Sequence, residues 1–386
     1  MSTLISAPSS MIPVARPFLG EEEEIGVLEV LRSGWVTQGP RVAQFEENFA
    51  QYVGCDHAIA VSSCTTALQL ALWAVGIKAG DEVICPSLSF VATANSIAYN
   101  GASPVFADID QDTFNIDPDR IEPLITPRTK AIMVVHQIGL PAEMKAIKHI
   151  AAKHGLPIVE DAACAIGAEY EGKLIGSPEG DMACFSFHPR KIMTTGEGGM
   201  ITTNDADLAA RLKRLRQHAM SLSDVARHNA KQIAAETYDE IGFNYRMTDM
   251  QAAIGIAQLG RLPILLERRR YLAQRYSDGL QDLSWIKTPY IPANRRHNFQ
   301  SYMARLIGPA ASKRDGIMQS LMDRKISTRR AIMAIHREIP YGRGRWEGQL
   351  PRTNLVADTG IILPLFHQMT ETEQDYVIQA LLDIRL

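Results

Sequence analysis

Two side chains set the chemistry open to this sequence, Lys191 and Asp161. Lys191 follows a short apolar run at 182–187 that reads as a buried strand, and precedes a bend crowded with threonine and glycine, MTTGEGGM. Arg190 stands immediately before it. A neighbouring cation and a closely packed loop lower an ammonium pKa, which frees the amine to attack a carbonyl carbon as in Schiff-base chemistry. On composition alone Lys191 would be one more solvated lysine. Its setting argues otherwise, because a second strand-like run upstream, 156–160, ends in Asp161. A carboxylate buried at a strand's carboxyl end can hold a pyridine nitrogen protonated and make the ring an electron sink. An amine for the aldehyde and a carboxylate for the ring nitrogen are the pair that a pyridoxal phosphate enzyme requires.

The elements that must position this pair follow a βα rhythm. Short apolar runs at 57–62, 82–85, 104–107, 130–135, 156–160, 182–187 and 199–203 alternate with helical patterns at 65–76, 90–100, 117–125, 142–154 and 205–218. That alternation predicts an α/β fold, a mostly parallel seven-stranded sheet sandwiched by helices. Ligands of such sheets gather at the carboxyl ends of the strands, where Asp161 and the Lys191 turn fall. Residues 1–18, rich in Ser and Pro, read as an extended arm, and EEEEIGVLEVLRSG as a helix with acids in its first turn and Gly34 as its stop. Residues 221–240 are polar and weakly periodic and read as a loop beside the site. A long helix opens in GFNYRMTDMQAAIGIAQLGRL and bridges to a smaller α+β domain, with YMARLIG as a strand and DGIMQSLMDRKI as a helix. The expected division is an arm at 1–18, a large cofactor-binding domain at 19–260 and a small domain at 261–386.

A chain of 386 residues is long enough for that arrangement. Its 46% apolar content is ordinary, and a net charge of −3 spread over interspersed acids and bases points away from nucleic acid and membrane surfaces as partners. Cys55, Cys64, Cys85, Cys164 and Cys184 are scattered through apolar surroundings with no Cys-x-x-Cys pair. They read as reduced thiols of a cytoplasmic protein, and no metal site is expected. The start, MSTLISAPSSMIPVARP, lacks a signal-peptide pattern, and no run approaches the roughly 20 apolar residues of a membrane span.

The same residues resemble a family. IVEDAACAIGAEYEG followed by FSFHPRKIMTTGEGGM is similar to the paired signature of the DegT-type (DegT/DnrJ/StrS) sugar aminotransferases, which are fold-type-I pyridoxal phosphate enzymes. The likeness covers nearly the whole chain, through SGWVTQGPRVAQFEENFA, PSLSFVATANSIAYNGASPVFADID, HQIGLPAEM, GFNYRMTDMQAAIG and LPLFHQMTETE in one order. It implies that Lys191 carries pyridoxal 5'-phosphate and that Asp161 holds its ring nitrogen. A phosphate needs small side chains at a helix start, and SSCTTALQLAL makes Cys64 and Thr65 candidates for its cup, with a plain helix cap as the alternative. Relatives usually have glycine where this chain has Cys64. Ser186 matches their second phosphate hydroxyl, against a strand serine satisfied by backbone. Asn244 matches an asparagine that, in relatives, reaches the phosphate from the neighbouring subunit, so a homodimer with shared sites is implied. Phe90 lies where relatives stack a ring on the cofactor, though core filling would also explain it. Cys164 stands where the family more often hydrogen-bonds the cofactor's ring hydroxyl, and a thiol does this weakly.

For substrate contacts the likeness points to His188 of the SFH pattern, to His336, and more loosely to Arg329 and Tyr341. Trp35 lies in a loop that relatives place near the site, with packing as the alternative. Arg246 suits a carboxylate of the amino donor, with an ordinary surface arginine as its alternative. The activity implied is an aminotransferase: an amino donor, by resemblance L-glutamate, displaces Lys191, whose freed amine then moves the substrate's proton. The acceptor implied is a nucleotide-linked keto-deoxysugar of amino-sugar and polysaccharide biosynthesis. A keto sugar acid or cyclitol without a nucleotide is the alternative. A related dehydratase would lack the lysine, and a non-catalytic regulatory protein on this fold need not keep lysine, aspartate and phosphate cup together.

Overall fold

Buried apolar runs build the centre of the molecule, and the computed structural model describes it over residues 8–222, 235–346 and 348–386. Residues 1–7 of the expected arm and most of the expected 221–240 loop lie outside the described residues. The strands in chain order are β1 (His57–Val61), β2 (Glu82–Pro86), β3 (Ser103–Ala107), β4 (Thr129–Val135), β5 (Ile158–Asp161), β6 (Glu169–Tyr170), β7 (Lys173–Leu174), β8 (Met182–Ser186) and β9 (Gly199–Thr203). Seven of them form one sheet in the order β1-β9-β8-β5-β4-β2-β3. Its pairs are parallel except those of β9, which runs against both β1 and β8. Every residue of β2, β5 and β9 is buried, because helices cover both faces and leave these strands no polar side.

On one face lie α2 (Pro40–Val53) and α5 (Met144–His154), where Phe49 meets Phe185 edge-on at 5.1 Å between ring centroids. On the other lie α3 (Cys64–Ala74), α4 (Ala92–Tyr99) and α6 (Ala206–Leu215), which bury Leu68, Leu72, Ile97 and Leu212. Before them α1 (Glu21–Ser33) has four glutamates in its first turn and ends at Gly34 in the left-handed region, φ 75°. The helix expected at 117–125 is two separate 3₁₀ turns, Pro118–Arg120 and Glu122–Leu124. Pro118 suits the first turn of a helix, but Pro123 removes an N–H donor that a continuous helix would use.

A single helix, α7 (Asp249–Leu280), then runs 32 residues, about 48 Å. Thr248 and Gln251 cap its start reciprocally. The boundary expected between 260 and 261 falls inside this helix, whose far end packs into another core around Leu272, Tyr276, Tyr302, Leu306 and Leu363. There β10 (Ile286–Lys287), β12 (Tyr302–Leu306), β13 (Arg329–Arg330) and β14 (Gly360–Leu363) make an antiparallel sheet. It is flanked by α8 (Arg314–Asp323), α9 (Pro351–Thr359) and α10 (Glu371–Leu382). The intervening β11 (Arg295–Arg296) joins β6 and β7 in a three-stranded sheet of its own. The arm docks on this later region: Ile12 is buried and its N–H donates to the Lys325 carbonyl at 2.9 Å. Among the described residues no helix is long and apolar enough to cross a membrane, and no group of His, Cys, Asp or Glu is arranged to hold a metal ion.

Candidate active site

The carboxyl end of β5 delivers Asp161 to the centre of the sheet, between Val135 of β4 and Cys184 of β8. Its side chain is buried. Thr93, in the first turn of α4, donates its hydroxyl to Oδ2 at 2.8 Å, and the Ala163 N–H donates to Oδ1 at 3.2 Å. Ser89 backs Thr93 at 2.7 Å. Burial pushes the Asp161 carboxyl above its ordinary value, and Thr93, Ala163 and Lys191 offset only part of that. Behind it His136 and Glu160 are paired at 2.8 Å; the Ala142 N–H occupies the His136 Nδ1, so the ring proton sits on Nε2 and faces Glu160. Thr93 carried no signal in the sequence beyond its place in SFVATANS, and the buried His136–Glu160 pair carried none.

Lys191 lies on the turn after β8. Its amine donates to Cys164 Sγ across 3.1 Å. The turn is fixed by its own small residues: Thr194 donates its hydroxyl to the Phe187 carbonyl at 2.7 Å, and its N–H donates to Gln258 Oε1 at 3.2 Å. The expectation of a lowered lysine pKa is corrected here. Burial pulls it down, but Cys164, Cys64 and Asp161 push it up further, and the net direction is upward. Arg190, whose cation was expected to lower it, is exposed. Its N–H instead donates to His188 Nδ1 at 3.2 Å. Burial and Arg190 both lower the His188 pKa.

The phosphate-cup candidates meet through one glycine. Ser186, at the end of β8, pairs with Gly199 of β9. A Cβ on Gly199 would lie 2.6 Å from the Ser63 carbonyl carbon and oxygen and 2.7 Å from the Cys64 nitrogen. Only glycine lets the α3 N-terminus press this closely on the sheet beside the Ser186 hydroxyl. Ser63 caps that helix by accepting from the Thr66 N–H at 3.2 Å, which leaves the Cys64 and Thr65 N–H groups at its positive end. The Cys64 side chain turns inward, donating to the Cys184 carbonyl at 3.6 Å, and burial puts its thiol well above the usual range. Cys64 is in ordinary helical backbone, not the left-handed region, so cysteine in place of glycine introduces no strain. Phe90 is 62% exposed, three residues before Thr93, a ring that packing in the core does not explain.

A family model for the DegT/DnrJ/EryC1/StrS aminotransferase family matches residues 17–382. The chain belongs to that family. It is 44% identical to GDP-perosamine synthase of Caulobacter vibrioides over 96% of this chain and 97% of the relative. Among solved structures it resembles the aminotransferase TlmJ from Streptoalloteichus hindustanus, with TM-score 0.88 and 36% identity over 96% of this chain and 98% of that one. It also resembles a putative sugar aminotransferase, Spr1654 from Streptococcus pneumoniae, in its PMP form, with TM-score 0.90 and 28% identity over 96% and 98% of the two chains. The DegT-family chain is therefore a fold-type-I aminotransferase, and its cofactor is pyridoxal phosphate.

The residues fit that cofactor. A buried carboxylate held above its ordinary pKa, with only neutral donors bonded to it, is a ready partner for a pyridinium N–H. The helix N-terminus beside Ser186 suits a phosphate dianion, and the Lys191 amine lies within the same sheet end for the aldehyde. The remaining candidates of this aminotransferase are more scattered. Asn244 is exposed, and Trp35 is half-buried with Nε1 donating to the Gln38 carbonyl at 3.1 Å. Arg246 is half-buried and Arg329 exposed on β13, near enough to Arg190 that the two cations oppose each other. His336 is buried with Nδ1 on Ser87 Oγ at 2.8 Å, and Tyr341 donates its hydroxyl to Asn95.

Proposed function

We propose that this aminotransferase moves an amino group from an amino acid, L-glutamate by family likeness, to a nucleotide-linked keto-deoxysugar in amino-sugar biosynthesis. The observation that carries the reading is the meeting of the Lys191 amine, the Asp161 carboxylate and the α3 N-terminus at one end of one sheet. The nucleotide-linked acceptor draws its support from the likeness to GDP-perosamine synthase.

Bound pyridoxal phosphate supplies the electron sink that makes a carbon-bound proton of the amino donor removable. The chain's own groups do the rest. Lys191 holds the cofactor's aldehyde between turnovers, and its freed Nζ then takes the donor's proton and returns it. Asp161 keeps a positive charge at the ring nitrogen, with Thr93 fixing its orientation. Thr65, Ser186 and the first N–H groups of α3 would hold the phosphate, and Cys164, in contact with the Lys191 amine, would be at hand for the ring. Phe90, exposed on this chain, would be free to stack on the ring. Asn244, also exposed, is available to a neighbouring copy, and a homodimer with shared sites follows from that assignment. Trp35, His188, Arg246 and Arg329 are assigned to substrate at the mouth, while His336 and Tyr341 hold the surrounding loops through Ser87 and Asn95. Free cysteines throughout support a reducing, cytoplasmic setting.

The test is a half-reaction. Mixing with L-glutamate should convert the cofactor's absorption to the amine form, and a panel of nucleotide-linked keto-sugars should convert it back. Reconversion by free keto sugar acids or cyclitols, with none by nucleotide sugars, would overturn the acceptor assignment.

A further inference from the structure

The segment between β11 and β12 comes from the later part of the chain and reaches both halves of the Lys191–Cys164 contact. Asn298 is fully buried. Its Nδ2 donates to the Cys164 carbonyl at 2.7 Å and to the Ile166 carbonyl at 2.8 Å, pinning the turn that carries the thiol. Its Oδ1 accepts from the Gln300 N–H at 2.8 Å. The Gln300 side chain in turn donates to the Arg190 carbonyl at 3.0 Å, the peptide that leads into Lys191. One strap therefore grips the thiol's turn with one amide and the amine's turn with the next.

The backbone around this strap is built to admit it. Gly139, at φ 99°, lies so close that a Cβ there would stand 1.7 Å from Asn298 Oδ1. Its neighbour Ile138, β-branched and buried, is held at φ 51°, and Phe299 in the strap is at φ 52°. Two bulky residues in the left-handed region on facing segments mark a conformation that the surroundings impose, and such strain collects at functional sites. The Asn298 N–H closes the junction on the Gly139 carbonyl at 3.2 Å.

We infer that Asn298 and Gln300 are positioning residues that hold the Cys164 thiol against the Lys191 amine and so set the proton affinity of the nitrogen that binds the cofactor. The groups bearing on that nitrogen are Cys164, Cys64 and Asp161 from facing segments, with His188 on its own turn. Loosening the Asn298 amide frees the thiol's turn and loosening the Gln300 amide frees the amine's turn, and either parts the amine from Cys164, whose effect is to favour the protonated nitrogen. Nothing in the strap depends on which acceptor is aminated.

The experiment is a pH titration of the bound cofactor's visible absorption in the holoenzyme, with melting temperature recorded alongside. Asn298→Ala and Gln300→Ala should each lower the titration midpoint by about half a pH unit or more, in the direction set by Cys164→Ala. Gln300 is half-buried, so Gln300→Ala should fold and decides the matter should Asn298→Ala not fold. A wild-type midpoint in Gln300→Ala, or in a folded Asn298→Ala whose only change is a lower melting temperature, would reduce the strap to ordinary packing and overturn the inference.

Discussion

Thr93→Val isolates the hold on Asp161 from everything else in the site. The substitution is nearly isosteric, the position is fully buried, and it removes a 2.8 Å hydrogen bond to Oδ2 while leaving the Ala163 N–H on Oδ1. A hydrogen bond to an ionised group contributes about 1.5–3 kcal/mol. Losing it moves the carboxyl in the same direction as burial already does, upward. Without Thr93 the carboxylate is no longer held in the orientation that meets a ring cation, and loss of that one bond should lower cofactor affinity and half-reaction rate each by roughly ten- to 150-fold. Ser89 also loses its partner, which costs about 1 kcal/mol of stability. Titrating the apoenzyme with pyridoxal phosphate gives the affinity, stopped-flow mixing with L-glutamate gives the rate, and Thr93→Ser, which keeps the hydroxyl, should restore most of both. Values for Thr93→Val within about twofold of wild type, while Asp161→Asn abolishes them, would refute the reasoning.

Three further outcomes follow from the same geometry. Lys191→Ala should leave no colour that borohydride can fix to the chain, whereas the wild-type protein should be yellow and peptide mapping after borohydride should place the label on Lys191. Gly199→Ala puts a methyl 2.6 Å from the Ser63 backbone, and should cost about 1–3 kcal/mol by chemical denaturation together with a larger loss of cofactor affinity, because the α3 N-terminus must move. Asp161 is raised in the folded apoenzyme, so the folded state binds that proton more tightly than the unfolded chain does. Its contribution is present below the unfolded value and is lost as pH rises through the folded one. Asp161→Asn should therefore raise the apoenzyme's melting temperature at neutral pH, with the gain vanishing towards acid; no gain at neutral pH would count against an ionised, costly carboxylate.

The main sheet was readable because its strands are buried on both faces, so each appears as an uninterrupted apolar run, and each of the seven lies within two residues of its expected bounds. The α2 helix was not read, although Pro40 at its first position and Gly54 at its end are ordinary start and stop signals. Its apolar residues, Val42, Phe45, Phe49 and Val53, keep helical spacing but are diluted by polar neighbours. The pairing of β6 and β7 with β11 could not be read at all, because two-residue strands carry no periodicity and their partner is far along the chain. The placement of Asp161 and Lys191 at one sheet end was legible because Asp161 ends a buried strand and Lys191 lies on the turn after another, and strand ends are where a parallel sheet exposes side chains to a ligand. Asn298 and Gln300 were not, since an amide is recognised as a clamp only when the carbonyls it holds are known.

The sign of the Lys191 shift shows where local reading stops. Arg190 is adjacent in sequence, yet its exposed guanidinium is surrounded by water, which screens a unit charge to about 1 kcal/mol at 4 Å. Cys164 is distant in sequence and lies 3.1 Å from the amine, inside the protein, where water screens a polar contact far less. Asp161 and Cys64 add to it from the facing strand end and helix start. The two buried groups are thus unbalanced in opposite senses, an amine biased towards ammonium and a carboxyl biased towards neutrality. A single flat ring with an aldehyde at one edge and a protonated nitrogen at another answers both biases, since it converts the amine and supplies the carboxylate with the cation it lacks.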